Sequence, residues 1–125
     1  MPKLLIADDE PHIRTLLQQT LEVLEDDGVE LLVEPDGAAA LARIRRERPA
    51  LALLDVMMPR MNGYDVCAAV RADPDLADVV VVLLTAKGQE ADRQKGADVG
   101  AHHYLTKPFD PDALLQTAER LLGLR

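Results

Sequence analysis

Aromatic side chains are scarce in this chain: its 125 residues include two tyrosines, one phenylalanine and no tryptophan. The hydrophobic fraction is nevertheless 48%. A chain of this length can bury a core of its own, so that core must be built mainly from aliphatic side chains. We expect a single domain over residues 1–125.

Cysteine is almost absent as well, because Cys67 stands alone. A lone cysteine excludes an intramolecular disulfide and suits a reducing compartment. Long hydrophobic runs are also missing. The amino-terminal run LLIA is too short for the hydrophobic part of a signal peptide and far too short to span a membrane. We therefore expect a soluble, cytoplasmic protein that does not enter a membrane.

The chain has fewer basic residues than acidic ones. Fourteen Lys and Arg residues face 22 Asp and Glu residues, for a net charge of −8. A surface of that sign disfavours direct binding to nucleic acid, which needs a basic face to displace counterions. It favours metal cations or basic surfaces on partner proteins.

Short apolar segments are what the chain does contain, and they alternate with amphipathic ones. The five apolar runs span residues 3–7, 29–33, 51–54, 79–84 and 102–105. Helical patterns lie between and after them, from Pro11 onward and over residues 37–48, 62–72, 89–99 and 110–122. Asp110 is suited to cap the last of these helices, and both Pro11 and Pro111 suit a first helical turn.

Two of the predicted helices carry clear apolar stripes. The stripe of the first comprises Ile13, Leu16, Leu17, Leu21 and Leu24. The stripe of the last comprises Leu114, Leu115, Ala118, Leu121 and Leu122. Strand followed by helix, five times, with nearly continuous apolar strands, predicts an α/β fold with a parallel sheet covered on both faces.

Polar residues follow the predicted strands at the edge where parallel sheets form their sites. They are Asp8, Asp9, Asp55, Thr85 and Lys107. The second run ends instead in Glu34 and Pro35, which we interpret as loop residues. The stretch LALLD poses the sharpest question, because it places Asp55 directly after a buried strand and an ionised carboxylate is costly to bury without compensation.

Three carboxylates at one edge would repel one another: two unit charges ~4 Å apart cost about 4 kcal/mol at an effective dielectric of about 20. A divalent cation relieves that repulsion, and Mg²⁺ prefers one or two carboxylates together with water, carbonyl and phosphate oxygens. Thr85 adds a hydroxyl and Lys107 a positive charge, so the set suits phosphoryl transfer. We interpret Asp55 as a nucleophile that forms an aspartyl phosphate.

Each residue also has a simpler interpretation. Asp8 and Asp9 could cap the helix that begins at Pro11, and Asp55 could be a turn residue.

His102 and His103 are neighbours in a predicted strand, so they should point to opposite faces and cannot chelate one ion together. Cys67 falls on an apolar helical stripe and is expected in the core. The 89–99 helix has few large apolar residues and is expected to be loosely held.

Four motifs, in order and spacing, resemble the receiver domains of two-component response regulators: ADDE, LLDVMMPRMNG, LLTA and YLTKPF. The resemblance covers the whole chain and implies a doubly wound, flavodoxin-like sheet in the order 2-1-3-4-5. It also implies that Asp55 takes phosphate from a phosphohistidine on a sensor histidine kinase or phosphotransfer protein. Asp8 and Asp9, with Asp55 and the backbone carbonyl of Met57, would hold Mg²⁺, for which Mn²⁺ could substitute.

The same resemblance implies a conformational switch. Thr85 would move its hydroxyl onto the phosphoryl group, Lys107 would pair with that group, and Tyr104 would move inward. The Lys107–Pro108 peptide bond would be cis. Met57 and Lys87 occupy positions that tune the lifetime of the phosphate in the family. His102 and His103 stand where many members carry two acids, which is a departure from the common pattern.

Two other functions stay open on the sequence. A Mg²⁺-dependent phosphatase of the haloacid dehalogenase type also uses an aspartyl phosphate, but it needs a second acid where this chain has Met57. A degenerate receiver could serve only as a binding scaffold. For the leading function we expect a signalling phosphoacceptor that acts only on itself, not an enzyme with a separate substrate. Its partners would be a kinase and a downstream target or an output domain, and the resemblance also allows a phosphorylation-dependent dimer.

Overall fold

The computed structural model describes residues 2–86, 95 and 97–124. Five parallel strands form one sheet in the order β2-β1-β3-β4-β5. They are β1 (Lys3–Ala7), β2 (Glu30–Glu34), β3 (Leu51–Asp55), β4 (Val80–Ala86) and β5 (His103–Lys107). The predicted fold class and strand order are confirmed.

Four α-helices accompany the sheet in the part of the chain that is described in full: α1 (Pro11–Leu21), α2 (Gly37–Glu47), α3 (Gly63–Ala72) and α4 (Pro111–Leu121). Short 3₁₀ turns at Glu22–Asp27 and Pro74–Leu76 extend the first and third connections. The side chain of Asp110 caps α4 by accepting a hydrogen bond from the Asp112 backbone N–H, as the sequence predicts. Among the described residues, every helix falls short of the length and hydrophobicity that crossing a membrane requires.

The core lies in two layers because both faces of the sheet are covered. On one face, α2 and α3 pack through Leu41, Ile44, Val66 and Val70 against alternate residues of the strands. On the other face, α1 and α4 pack through Leu17, Leu21, Leu114 and Ala118. Aliphatic side chains dominate both layers, as the shortage of aromatics requires, and Cys67 is fully buried in the first.

The element boundaries differ from the prediction mainly at the strand ends. Glu34 is the last residue of β2 and not a loop residue, and its carbonyl accepts a hydrogen bond from the Asp8 N–H. β4 and β5 each reach two residues further than the apolar runs, to Ala86 and Lys107. Hydrophobicity ends before the backbone pairing does, because the last ladder positions carry the polar residues of the carboxyl edge.

Two side-chain placements also differ. Leu16 was expected on the apolar stripe of α1 but is 40% exposed. His102 precedes β5 and is not part of the strand, and its Nδ1 accepts a hydrogen bond from the Val81 N–H at 3.1 Å. The expectation that the two histidines alternate along one strand is therefore wrong for His102. Most of the predicted 89–99 helix lies outside the described residues.

Arg71, in the last turn of α3, joins three parts of the chain. Its guanidinium donates hydrogen bonds to the carbonyl oxygens of Leu76, at 3.2 Å, and of Val79. Nη1 lies 3.3 Å from Nε2 of His102. Burial, and then the Arg71 charge, lower the pKa of His102, which favours the neutral ring that can accept the bond from the Val81 N–H. Gly100 packs on the Arg71 stem so closely that a Cβ there would lie 2.7 Å from Cγ.

We predict that Arg71→Ala lowers the free energy of unfolding by about 1–3 kcal/mol, because the carbonyls of the α3–β4 connection lose a charged donor. Urea denaturation followed by circular dichroism measures this change. Arg120→Ala, an exposed arginine in the last turn of α4, is the matched control and should change stability by less than about 0.5 kcal/mol. Equal effects of the two substitutions would contradict the assignment.

Candidate functional site

The carboxyl edge of the sheet gathers the charged residues that the sequence predicts there. β1 ends just before Asp8, β3 ends at Asp55 and β5 ends at Lys107. Asp8 is fully buried and Asp55 is 5% exposed. Because the three strands are parallel and lie in one sheet, their carboxyl ends bring residues from the beginning, middle and end of the chain to one place.

Lys107 is the residue that compensates the acid at the end of LALLD. Its Nζ lies 2.8 Å from Oδ2 of Asp8 and 3.3 Å from Oδ2 of Asp55. One ammonium group therefore bridges two buried carboxylates. Lys107 is itself only 20% exposed, so water screens these contacts less than it would at the surface.

The pKa values of Asp55 and Lys107 are both shifted at this edge. Burial, and then the negative charge of Asp8, raise the pKa of Asp55 from 3.8 to about 6, although Lys107 acts in the opposite direction. Burial by itself lowers the pKa of Lys107, but its hydrogen bond to Asp8 and the charge of Asp55 outweigh burial and raise that pKa. One lysine thus compensates the two acids only in part, and a second positive charge would be favourable here.

The β1–α1 turn supplies further oxygen atoms. Carboxylate oxygens of Asp8, Asp9 and Glu10 lie within 4.8 Å of one another. The backbone N–H of Glu10 donates to Oδ1 of Asp8 at 3.0 Å. Glu10 takes the N-cap position of α1 without a side-chain cap hydrogen bond, so neither Asp8 nor Asp9 has the capping role that the simpler interpretation gave them.

Two residues of this turn were missed by reasoning from the sequence. Glu10 belongs to the oxygen cluster, and the third acid of the motif ADDE is the signal that could have indicated it. Arg14, one turn into α1, donates from Nη1 to the Asp8 backbone carbonyl at 2.7 Å. No sequence pattern pointed to that contact, because it depends on how the helix leaves the sheet.

The remaining predicted residues differ in their surroundings. The Met57 backbone N–H donates to Oδ1 of Asp55 at 3.3 Å, while the Met57 side chain is 74% exposed. Thr85 is buried on β4 and pairs in register with Thr106. Tyr104 on β5 is half-buried and packs against the α2–α3 side of the core. The Lys107–Pro108 peptide bond is cis, as the resemblance implied. Lys87 lies outside the described residues.

The donor set suits a small divalent cation. Every candidate ligand is oxygen, from carboxylates and a backbone carbonyl, which is the chemistry that Mg²⁺ selects. Two buried carboxylates, those of Asp8 and Asp55, share the single ammonium of Lys107 at this edge, so negative charge is in excess there and a cation would relieve that excess. Asp8, Asp9 and Asp55, with the Met57 carbonyl, are the residues that could hold it.

Several solved structures are similar to this chain along nearly its whole length. The chemotaxis protein CheY4 of Vibrio cholerae is 36% identical, with a TM-score of 0.84 over 97% of this chain and 98% of that one. The receiver domain of the sensor histidine kinase PA1611 from Pseudomonas aeruginosa is 28% identical, with a TM-score of 0.86 over 98% of both chains. That structure carries a magnesium ion coordinated in its active site cleft.

The curated relatives are longer proteins. RpaA of Synechocystis sp., a DNA-binding dual master transcriptional regulator, is 40% identical over 98% of this chain and 49% of its own length. The chain spans between 42% and 49% of the length of eight curated relatives that it matches. The family model for the response regulator receiver domain matches residues 4–119. The chain therefore belongs to the receiver domains of two-component response regulators.

Proposed function

We propose that Asp55 is the phosphoacceptor of this receiver domain. A carboxylate oxygen of Asp55 would attack the phosphorus of a phosphohistidine on a sensor histidine kinase or phosphotransfer protein. The P–N bond breaks, a P–O bond to Asp55 forms, and the imidazole leaves. The observation that carries the proposal is the placement of Asp55 next to Lys107 at a buried edge with excess negative charge.

Each neighbour of Asp55 has a defined task in this proposal. The Lys107 ammonium leaves the two carboxylates and pairs with the incoming phosphoryl oxygens. Asp8, Asp9, Asp55 and the Met57 carbonyl hold Mg²⁺, or Mn²⁺ in its place, which would neutralise the charge that develops on the phosphoryl group. The Met57 N–H holds Asp55 through Oδ1. The buried edge keeps water away from the reacting atoms.

The response to phosphorylation would start at β4 and β5. Thr85 would bring its hydroxyl to the phosphoryl group, and Tyr104, half-buried against the core, would follow inward. Both lie on neighbouring strands, with Leu83 of β4 paired to Tyr104. Movement of these two side chains would change the face that meets a downstream protein, an output domain or a second copy of the chain. The exposed Met57 side chain and Lys87 would set how long the phosphate survives.

The domain in this proposal catalyses only its own phosphorylation and dephosphorylation. It works in the cytoplasm, where its kinase partner presents the phosphohistidine. Direct contact with nucleic acid by these residues is not expected, given the net charge of −8. In a longer protein of the RpaA kind, DNA binding would fall to other residues.

Phosphorylation itself provides the first test. We expect wild-type protein incubated with Mg²⁺ and acetyl phosphate to gain the mass of one phosphoryl group, and peptide mapping to place it on Asp55. Asp55→Asn should gain none at that residue. Asp65→Asn, at an exposed acid in the first turn of α3, is the matched control and should behave like wild type. Steady release of inorganic phosphate at high turnover would indicate a phosphatase instead, and no reaction a degenerate receiver.

The pKa of Asp55 predicts an unusual dependence of stability on pH. Its pKa is raised on folding, so its contribution to stability is fully present below the unfolded value of 3.8 and is lost as pH rises through about 6. In EDTA at neutral pH, Asp55→Asn should therefore melt several degrees higher than wild type. Mg²⁺ should stabilise wild type by about 2.7 kcal/mol at 100 times its dissociation constant, and the variant by less. A lower melting temperature of Asp55→Asn in EDTA would show that Asp55 is a structural acid.

Lys107→Ala separates phosphoryl binding from metal binding. The variant should bind Mg²⁺ at least as tightly as wild type, because the ammonium that competes for Asp8 and Asp55 is gone. Its phosphorylation by acetyl phosphate should be slower by a factor of about 10² or more, as for the loss of a group that stabilises developing charge. Lys3→Ala removes a different paired lysine, bonded to Glu47 at 2.8 Å, and should leave both properties unchanged. Normal phosphorylation of Lys107→Ala would refute the role of Lys107.

A further inference from the structure

The short connection between β2 and α2 contacts the loop that carries Met57. The loop from β3 to α3 covers residues 56–62. Asp36 and Gly37 lie across from its far half, at the start of α2, and contact Arg60 and Met61. We refer to Asp36 and Gly37 together as the β2–α2 support.

Gly37 lets the loop approach more closely than any other residue would allow. A Cβ placed on Gly37 would overlap the backbone carbonyl oxygen of Met61 and lie 2.6 Å from its carbonyl carbon. These are backbone atoms, which cannot turn aside as the end of a flexible side chain can. Any side chain at position 37 must therefore push the loop away from α2 or move the start of the helix.

Asp36 contacts the same loop while it holds the helix. Its Oδ1 accepts the N-cap hydrogen bond from the Ala39 N–H at 2.8 Å. Its Oδ2 lies 3.6 Å from Nε of Arg60. Arg60 has a φ of 69°, a left-handed conformation that is uncommon for a residue with a side chain. The loop residue with the left-handed conformation is thus the one that pairs with Asp36.

Gly63, the residue directly after the loop, ties the end of the loop back to its start beside Asp55. A Cβ on Gly63 would lie 3.1 Å from the carbonyl carbon of Asp55, and the Gly63 N–H donates to the Val56 carbonyl at 3.0 Å. Met57 lies between these ties and donates its N–H to Oδ1 of Asp55. We expect a shift of the loop at Met61 to reach the backbone of Met57, because only Met58, Pro59 and Arg60 separate the two residues.

We propose that Asp36 and Gly37 are positioning residues for the phosphoacceptor site. By fixing the path of the β3–α3 loop, they set the orientation of the Met57 backbone towards Asp55, and hence the affinity of the site for Mg²⁺. This inference rests on the proposed function, in which the Met57 carbonyl is a ligand of the metal. Neither residue contacts the reacting atoms.

Gly37→Ala in the full chain tests the inference. We expect its dissociation constant for Mg²⁺, measured by isothermal titration, to rise about 10-fold, as is typical when an outer support of a metal site is lost. Backbone amide signals of residues 55–63 should shift in NMR spectra recorded without Mg²⁺. Phosphorylation by acetyl phosphate should slow at limiting Mg²⁺ and recover in part at high Mg²⁺.

Ile44→Val is the matched control, because Ile44 is fully buried on the same helix, seven residues after Gly37. It destabilises the fold by removing one methylene group but leaves the β2–α2 support in place, so its Mg²⁺ affinity should equal that of wild type. If Gly37→Ala does not fold, the variant Asp36→Ser tests the inference in its place. Serine keeps the N-cap but cannot pair with Arg60, and we expect Mg²⁺ binding to weaken by about two- to fivefold.

The outcomes separate this inference from the proposed function. A folded Gly37→Ala with wild-type Mg²⁺ affinity and unshifted amide signals overturns the inference alone, provided that wild type takes phosphate on Asp55. Unchanged Mg²⁺ binding of Asp36→Ser overturns it where the glycine variant cannot be obtained. If wild type takes no phosphate on Asp55, the proposed function fails and the inference fails with it.

Discussion

One ammonium group between two buried carboxylates is the contact on which the rest of the site depends. Lys107 reaches both Asp8 and Asp55, so a single positive charge offsets two negative ones. The offset is incomplete: burial, and then the charge of Asp8, raise the pKa of Asp55 to about 6, although Lys107 lowers it. Because negative charge is in excess at this edge, binding of a positive charge there is stabilising. In the proposed function the arriving charge belongs to Mg²⁺, and the lysine is then released to hold the phosphoryl group.

The stability of the rest of the fold offsets the cost of burying these charges at one edge. Both faces of the sheet are covered by aliphatic side chains, which bury the central strands. Asp8 follows β1 and Asp55 ends β3, and these strands are hydrogen-bonded neighbours. Two of the described loops at this edge are held by contacts to their backbone: Arg14 donates to the Asp8 carbonyl, and Gly37 packs against Met61. Charge is thereby concentrated at one end of a fold whose remaining stability is hydrophobic.

Much of the site could be predicted from the sequence because it follows from where strands end. Asp8, Asp55, Thr85 and Lys107 each stand at or just after an apolar run, and the structure places all four at the end of a strand or directly after it. Errors arose where a polar residue continues the backbone ladder, as at Glu34, and where a helix turns one apolar residue towards solvent, as at Leu16. The pattern of hydrophobicity reports burial and not hydrogen bonding, so it misplaces residues for which the two differ.

The order of apolar runs and the four motifs by themselves determined the sheet, its strand order and the residues at its carboxyl edge, because a parallel sheet converts positions at strand ends into neighbours. Distances and partners were decided only by the tertiary structure. These contacts join residues that are distant in sequence or whose side-chain directions depend on packing. Examples are the Lys107 ammonium between two carboxylates, the negative charge of Asp55 that Lys107 offsets only in part, the Arg71 hydrogen bonds and the approach of Gly37 to Met61. Such contacts leave no periodic trace in the sequence, since each arises once, from the way two particular elements meet.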